Sequence, residues 1–441
     1  MTYKRVVRLL LAGVLTLCLL SPVWAKGPPS AQDDGKGKAN GKTKLKGWRF
    51  VVFGDHRGNN ALTNINPEKT AYLDGGFNKA VLEDLAAAIK SEDVQFVLEV
   101  GDLVTKWQQP PVVVPPLPPY FVISADELMA TQFADWGATW IAASGGLPIY
   151  PVRGNQEWTA SAETWKAFTK TMPGIGTLAP NGPPGEEGLT FCFKHKSCLF
   201  IGVDQYASPL ANGDSHVITP EALAWIDQQL SESDKPYKFV FGHVPAFETW
   251  NSKKKPFAAV KDGLATPYAL FTPAAIAMRD AFWSSLGSAG AEYFCGHEHM
   301  YGRGVTTDAA AAVLRQTIIG NGGAPLVPLF PADYAPLGVY CESYTYDPVT
   351  KNYELPGIPS VRLSDPLIAT EAAARTAEVG YIVVQVHGSK VTAKYVAAPA
   401  DIDTNVRTGP FAVKDTWTIA EGDDDEEVEE AEEEEAEAAT R

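Results

Sequence analysis

Five strand-like segments of this 441-residue chain each end in a glycine that is followed at once by a side chain able to bind a metal ion. These side chains are Asp55, Asp102, Asn155, His243 and His297, and the motif Gly-His-Glu-His that contains the last one also supplies His299. Parallel strands of an open α/β sheet bring the groups at their carboxyl ends to one crevice. Carboxylate, amide and imidazole groups together suit divalent manganese, iron or zinc. The sequence therefore predicts a metal site.

The apolar pattern predicts strands that alternate with helices. Residues 48–53 read as a buried strand, residues 78–90 as an amphipathic helix, and residues 94–100 as a second strand. Strand, helix and strand in this order indicate a parallel sheet. Further elements are predicted as helices over residues 126–143, 219–230 and 272–286, and as strands over residues 149–153, 189–191, 199–201, 238–241 and 293–295.

Two other segments bear on the architecture. Residues 379–386 and 390–396 flank His387-Gly388-Ser389, which predicts a hairpin, and we expect such pairs of strands to form a second sheet that packs on the first. Residues 108–122 contain six prolines, which predicts a surface insertion near the site.

The termini differ from the body in composition. Residues 1–25 have three basic residues before a short apolar run and predict a signal peptide that is cleaved after Ala25, with a retained membrane anchor as the alternative. Residues 26–47 are predicted to be a disordered basic linker, residues 48–420 the folded domain, and residues 421–441 an acidic disordered tail. We therefore expect a secreted or periplasmic protein whose mature form has no membrane segment.

Charge and cysteine content narrow the expectations further. The net charge is −16, but 13 acidic groups lie in residues 421–437, so the body is only mildly acidic and no nucleic acid polymer is expected as a partner. Cys192 and Cys198 lie in a predicted hairpin, which favours a disulfide in an oxidising compartment. Cys295 either pairs with Cys341 or is a buried free thiol.

The order Asp, Gly-Asp, Gly-Asn, Gly-His, Gly-His-x-His resembles that of the calcineurin-like metallophosphoesterases, over residues 48 to about 325. The resemblance implies an α/β fold, a four-layer αββα sandwich of two mixed sheets, with two divalent ions (manganese, iron or zinc) between the sheets. It also implies that Asp55 and His299 hold the first ion and that Asp102 bridges both. Asn155, His243 and His297 would hold the second ion.

The sequence departs from the family pattern first at Arg57, where the family has a histidine. An arginine has no lone pair for a metal, so we expect the first ion to be bound less tightly than the second. We expect the guanidinium to bind a phosphate, with a salt bridge to Asp102 or Glu157 as the alternative. His56, one residue earlier, should face the opposite direction.

The second departure is Gln156, which replaces the histidine that the family uses to protonate the leaving group. Loss of a general acid costs about 10²–10⁴-fold in rate, and good leaving groups suffer least. Arg153 and Tyr206 are further candidates for substrate contact. The alternatives are a buried ion pair for Arg153 and a core-edge position for Tyr206.

These residues predict an exported, metal-dependent phosphoesterase. It would hydrolyse a small-molecule phosphate mono- or diester through a metal-activated hydroxide. The alternative is a catalytically attenuated protein of the same fold that binds metal or phosphate without turnover, because Arg57 and Gln156 replace two functional histidines.

Overall fold

Two six-stranded mixed β-sheets pack face to face in this computed structural model, and helices cover their outer faces. The structure describes residues 47–58, 76–105, 124–207, 218–246, 273–307, 313–325, 339–341, 345–347, 352–354, 359–361, 377–401 and 405–422. The predicted signal peptide, the proline-rich insertion and all but the first residues of the acidic tail lie outside these ranges.

The strands are β1 Trp48–Phe53, β2 Val97–Glu99, β3 Ile149–Pro151, β4 Phe191–His195, β5 Cys198–Gly202, β6 Tyr237–Phe241, β7 Glu292–Cys295, β8 Tyr301–Thr307, β9 Val313–Ile319, β10 Val339–Cys341, β11 Thr345–Asp347, β12 Asn352–Glu354, β13 Pro359–Val361, β14 Ala377–His387, β15 Lys390–Ala400 and β16 Ala412–Ala420. The helices are α1 Lys79–Ser91, α2 Ala125–Ser144, α3 Ala162–Thr169, α4 Pro220–Glu232 and α5 Pro273–Ser288.

The first sheet has the strand order β16-β15-β14-β1-β2-β3, and its β1, β2 and β3 are parallel. The C-terminal hairpin β14–β15 joins this sheet by pairing antiparallel to β1, with Trp48 opposite Val386. The expectation that the hairpin belongs to a second sheet is therefore wrong. The hairpin itself is confirmed, but the edge of β1 that β2 leaves open supplies its hydrogen-bonding partner.

The second sheet has the order β4-β5-β6-β7-β9-β8, with β5, β6, β7 and β9 parallel. Its strands alternate between two apolar environments, as the two-residue period of a strand requires. Phe239 and Phe241 face the first sheet, whereas Val240 between them packs with α4 and α5 on the outer face. Phe50 of β1 lies 5.0 Å from Phe239, ring centroid to centroid, across the inner layer.

The opposite face of the first sheet carries α1 and α2. Phe53, three residues after Phe50, contacts Trp140 of α2 with ring centroids 5.3 Å apart. Helix, sheet, sheet and helix therefore follow one another, which confirms the predicted four-layer α/β sandwich. Helix starts follow the local sequence: the side chains of Asn78 and Thr219 accept backbone N–H groups in the first turns of α1 and α4.

The predicted disulfide between Cys192 and Cys198 is wrong, because both thiols are free. The β4–β5 register places Cys198 opposite His195 and Cys192 opposite Ile201. His195 and Cys192 are three positions apart, and an odd offset puts side chains on opposite faces of the sheet. Cys295 is a buried free thiol.

None of the helices in the described part of the chain combines the length and the apolarity that crossing a bilayer needs.

Candidate metal centre

The loops that follow β1 and β2 are joined to each other by backbone hydrogen bonds. Asp55 N–H donates to Gly101 O at 2.9 Å, and Arg57 N–H donates to Asp102 O at 2.9 Å. Asp55, Asp102 and His297 have φ angles of 62°, 60° and 70°, in the left-handed region that costs free energy for residues other than glycine. Such strain persists only where the surroundings enforce it, and it is concentrated at functional sites.

Two of the five motif glycines, Gly154 and Gly296, leave room for carboxylates of neighbouring loops. A Cβ atom on Gly154 would lie 2.3 Å from Oδ1 of Asp102, and one on Gly296 would lie 2.2 Å from Oδ2 of Asp55. Any other residue at these positions would displace a candidate metal ligand. Close approach therefore explains why glycine precedes Asn155 and His297.

Four side chains converge at the ends of β2, β3, β6 and β7, and we call Asp102, Asn155, His243 and His297 the second donor group. Asn155 Oδ1 lies 3.1 Å from Nε2 of His243 and 3.1 Å from Nδ1 of His297. The two ring nitrogens are 3.3 Å apart, and Oδ1 of Asp102 is 3.4 Å from Nε2 of His243. Two ligands held about 2.1 Å from one ion at tetrahedral angles stand about 3.4 Å apart.

The chemistry of this group suits a divalent cation. His243 Nδ1 is 2.8 Å from the carbonyl oxygen of Val100, and because a carbonyl only accepts, Nδ1 carries the proton. The Nε2 atom of the neutral ring then directs a lone pair at Asn155 Oδ1 and Asp102 Oδ1, which are themselves acceptors. Imidazole, amide and carboxylate ligand atoms at these distances fit the coordination sphere of one divalent ion.

Asp55, Asp102 and His299 form the first donor group, in which one ligand atom from each side chain lies within 4.8 Å of the others. His299 Nδ1 donates to the carbonyl oxygen of Pro325 at 2.6 Å, so its Nε2 lone pair faces Asp55, whose Oδ1 is 3.7 Å away. Asp102 belongs to both donor groups. The two groups together contain all six residues that the sequence motifs predict to be metal ligands.

Arg57 is buried beside the first donor group. Its Nε is 3.5 Å from Oδ2 of Asp102, and its Nη2 is 3.3 Å from Nε2 of His299. The predicted alternative of a salt bridge to Asp102 is therefore present. The Nη1 atom of Arg57 is buried and has no hydrogen-bond partner among the described residues. That donor remains available to a phosphate oxygen.

Glu157, expected from the sequence only as a partner for Arg57, supports the loops that carry the metal-ligand candidates. Its carboxylate accepts the backbone N–H groups of Asp102, Val104 and Gly154 at 3.0, 3.1 and 2.7 Å. Burial, followed by the charge of Asp102, raises the pKa of Glu157. The sequence signal was its position directly after Gly154-Asn155-Gln156.

Gln205 is a second supporting residue, and sequence reasoning missed it. Its Oε1 accepts the N–H groups of His243 and Val244 at 2.9 and 2.6 Å, and its Nε2 donates to Val244 O at 3.1 Å. A buried glutamine at the end of a strand resembles many others in sequence, so no local pattern marks this role.

His56 faces away from both donor groups, as predicted. Its Nδ1 donates to the Gly322 carbonyl at 2.8 Å, and burial lowers the pKa of His56 to about 4. Its Nε2 lies 3.9 Å from Oε1 of Glu99, a carboxyl group whose pKa burial raises well above its ordinary value. The reason differs from the one expected, because β1 ends at Phe53 and the left-handed Asp55 redirects the chain.

The remaining predicted site residues lie at the edges of the centre. Arg153 forms a buried ion pair with Asp204, Nε to Oδ2 at 2.6 Å, which is the alternative to substrate contact. Tyr206 is buried, with its ring centroid 6.5 Å from that of His243, and burial raises the pKa of Tyr206 well above its usual range. Gln156 is buried, and its backbone N–H donates to Oδ1 of Asp102 at 2.9 Å.

The chain is similar to known proteins in family and in fold. The family model described as calcineurin-like phosphoesterase matches residues 49–301. The structure of PhoD superimposes with a TM-score of 0.51 at 12% sequence identity, covering 85% of this chain and 70% of PhoD. A dimetal phosphatase from Danio rerio has a TM-score of 0.44 at 12% identity, and the match covers 86% of this chain and 100% of the phosphatase chain. This structural similarity is weak. No curated protein matches the chain in sequence.

Because the family model covers more than half of its length, the chain belongs to the calcineurin-like phosphoesterases. That family places it among the hydrolases that act on phosphate esters. The likeness to PhoD shows the fold.

Proposed function

We propose that the protein is an exported, metal-dependent phosphoesterase that hydrolyses a small-molecule phosphate mono- or diester. The observation that carries the proposal is the convergence of carboxylate, amide and imidazole ligand atoms in the second donor group, 3.1–3.4 Å apart. Asp102, Asn155, His243 and His297 would hold a divalent ion of manganese, iron or zinc. Such an ion, when bound, lowers the pKa of a water molecule and polarises a phosphoryl oxygen.

The protein's own residues orient this chemistry. The N–H of His243 Nδ1 is anchored on Val100 O, so the ring presents Nε2 to the centre in one tautomer. The carboxylate of Asp102 is held by the N–H of Gln156, and its backbone is held by Glu157. Arg57 Nη1 supplies a donor for a phosphate oxygen, and an arginine matches the geometry of phosphate.

The test is turnover of nitrophenyl phosphate mono- and diesters by protein loaded with manganese, iron or zinc. The double variant His243→Ala, His297→Ala should lose both the ion and the activity. The matched control His195→Ala removes a histidine that contacts Gln95 and packs on Trp48 at the start of β1, away from the strand ends that carry the donor groups. Equal turnover in the double variant and the wild type would overturn the proposal.

The second candidate is a phosphate- or metal-binding protein without turnover. It is favoured by Gln156, since a glutamine cannot donate a proton to a leaving group at neutral pH. Tight binding of inorganic phosphate by the metal-loaded protein, with no hydrolysis of either ester, would support this candidate.

Export is part of the proposal and rests on residues 1–25 alone, with their basic start and short apolar run. Amino-terminal sequencing of protein recovered from outside the cytoplasm should find Lys26 as the first residue. An intact Met1 on that material would contradict it.

A further inference from the structure

We infer that the guanidinium of Arg57 takes the place of one of the two metal ions, so that the centre holds a single divalent ion in the second donor group. The inference rests on the proposed function and refines its metal content. Its basis is the position of the Arg57 guanidinium against His299 and Asp102 of the first donor group.

In the first donor group, a positive charge is already in place. His299 Nδ1 donates its proton to Pro325 O, so Nε2 can only accept, and Arg57 Nη2 is its donor at 3.3 Å. One lone pair serves either an N–H donor or a metal ion, and not both at once. Arg57 therefore uses the atom through which His299 would bind the first ion.

Arg57 also offsets the charge of the shared carboxylate. Its Nε lies 3.5 Å from Oδ2 of Asp102, whereas Oδ1 of the same carboxylate faces His243 at 3.4 Å. Asp102 thus faces the guanidinium with one oxygen and the second donor group with the other. A divalent ion bound to the first donor group would lie at contact distance from the guanidinium, and the two positive charges would repel each other.

The backbone of Arg57 is held in place, which limits how far its guanidinium can move away from the first donor group. Arg57 N–H donates to Asp102 O at 2.9 Å, and Arg57 forms a β-bridge with Phe77. The whole residue is 5% exposed. Binding of an ion to the first donor group would therefore require a buried arginine to leave its ion pair with Asp102.

The experiment counts ions. The purified protein is saturated with Mn²⁺, freed of excess metal, and assayed by elemental analysis and by electron paramagnetic resonance. We expect one ion per wild-type chain, with the six-line spectrum of isolated Mn²⁺. His299→Ala should keep that ion, and His243→Ala should lose it or bind it at least 10-fold more weakly.

Arg57→His is the decisive variant, because it removes the guanidinium and supplies a ligand. It should bind a second ion and show the broadened, exchange-coupled spectrum of a manganese pair. Arg407→His, which makes the same change beside Asp84 on the surface, should stay at one ion. Two ions of similar affinity in the wild type, or an ion lost by His299→Ala and kept by His243→Ala, would overturn the inference. A wild type that binds no ion would overturn the proposed function as well.

Discussion

The carboxylate of Glu157 holds the backbone of Asp102 by a hydrogen bond, in which the Asp102 N–H group donates to Oε2 of Glu157 at 3.0 Å. The same oxygen accepts from Gly154 at 2.7 Å, and Oε1 accepts from Val104 at 3.1 Å. One buried side chain therefore ties the loop after β2 to the turn that carries Asn155. The geometry of the second donor group depends on this connection.

The variant Glu157→Gln should destabilise the protein and weaken its hold on the ion. The amide oxygen can replace one carboxylate oxygen, but the amide NH2 then faces a backbone donor in a buried place. We expect the free energy of unfolding of the metal-free protein to fall by about 1–3 kcal/mol. Urea unfolding and metal titration measure the two effects. Glu163→Gln, at an exposed carboxyl of α3, is the control, and equal losses in both variants would contradict the role of Glu157.

Removal of the side-chain amide of Gln205 should leave the position of His243 less well fixed. The variant Gln205→Ala leaves the N–H groups of His243 and Val244 without the acceptor they share. Loss of a group that orients a metal ligand typically costs about 10–100-fold in affinity for the ion. Competition with a chelator measures that affinity. Gln228→Ala, on the exposed side of α4, should leave it unchanged.

The variant Gln156→His should raise turnover of esters with poor leaving groups. A histidine there could donate the proton that an alkoxide needs, a contribution of about 10²–10⁴-fold in general acid catalysis. Nitrophenyl esters, whose leaving groups need no proton, should gain little. The ratio of rates for alkyl and nitrophenyl esters is the measurement. An unchanged ratio would remove the general-acid explanation for this position.

Glu292 should make the protein less stable as the pH rises. Burial raises the pKa of Glu292 from 4.5 to about 7, with Arg315 and Thr317 opposing the change. A carboxyl with a raised folded-state pKa is favoured in its protonated form. Its contribution is complete below pH 4.5 and is lost as the pH rises through 7. Between pH 5 and 8 the wild type should lose about 2 kcal/mol relative to Glu292→Gln.

Urea unfolding of both proteins at the two pH values measures that difference. His56 titrates in the opposite sense, since its lowered pKa means stability that is lost as the pH falls below 6.5. Comparison of the variant with the wild type removes this contribution because both proteins retain His56. A difference that does not change with pH would show that Glu292 ionises as readily in the folded protein as in the unfolded one.

Local sequence was sufficient to predict those elements that depend only on the spacing of neighbouring residues. The apolar spacing in residues 78–90 predicted α1, which runs over Lys79–Ser91, and the apolar run at residues 48–53 predicted β1 without error. The hairpin at Gly388 was predicted for the same reason, but its sheet was not. Which edge a hairpin joins depends on hydrogen-bonding partners more than 300 residues away in sequence, such as Trp48 for Val386.

The motifs of glycine followed by a ligating residue were enough, by themselves, to identify the candidates for one site, because parallel strands present their carboxyl ends at one edge of a sheet. These candidates are Asp55, Asp102, Asn155, His243, His297 and His299. Only the tertiary structure decided how those residues are supported and what already lies among them. Glu157 and Gln205 act through backbone groups of distant loops, and Arg57 donates to His299 across 242 positions. Such contacts follow from the packing of loops in space, which no short stretch of sequence encodes.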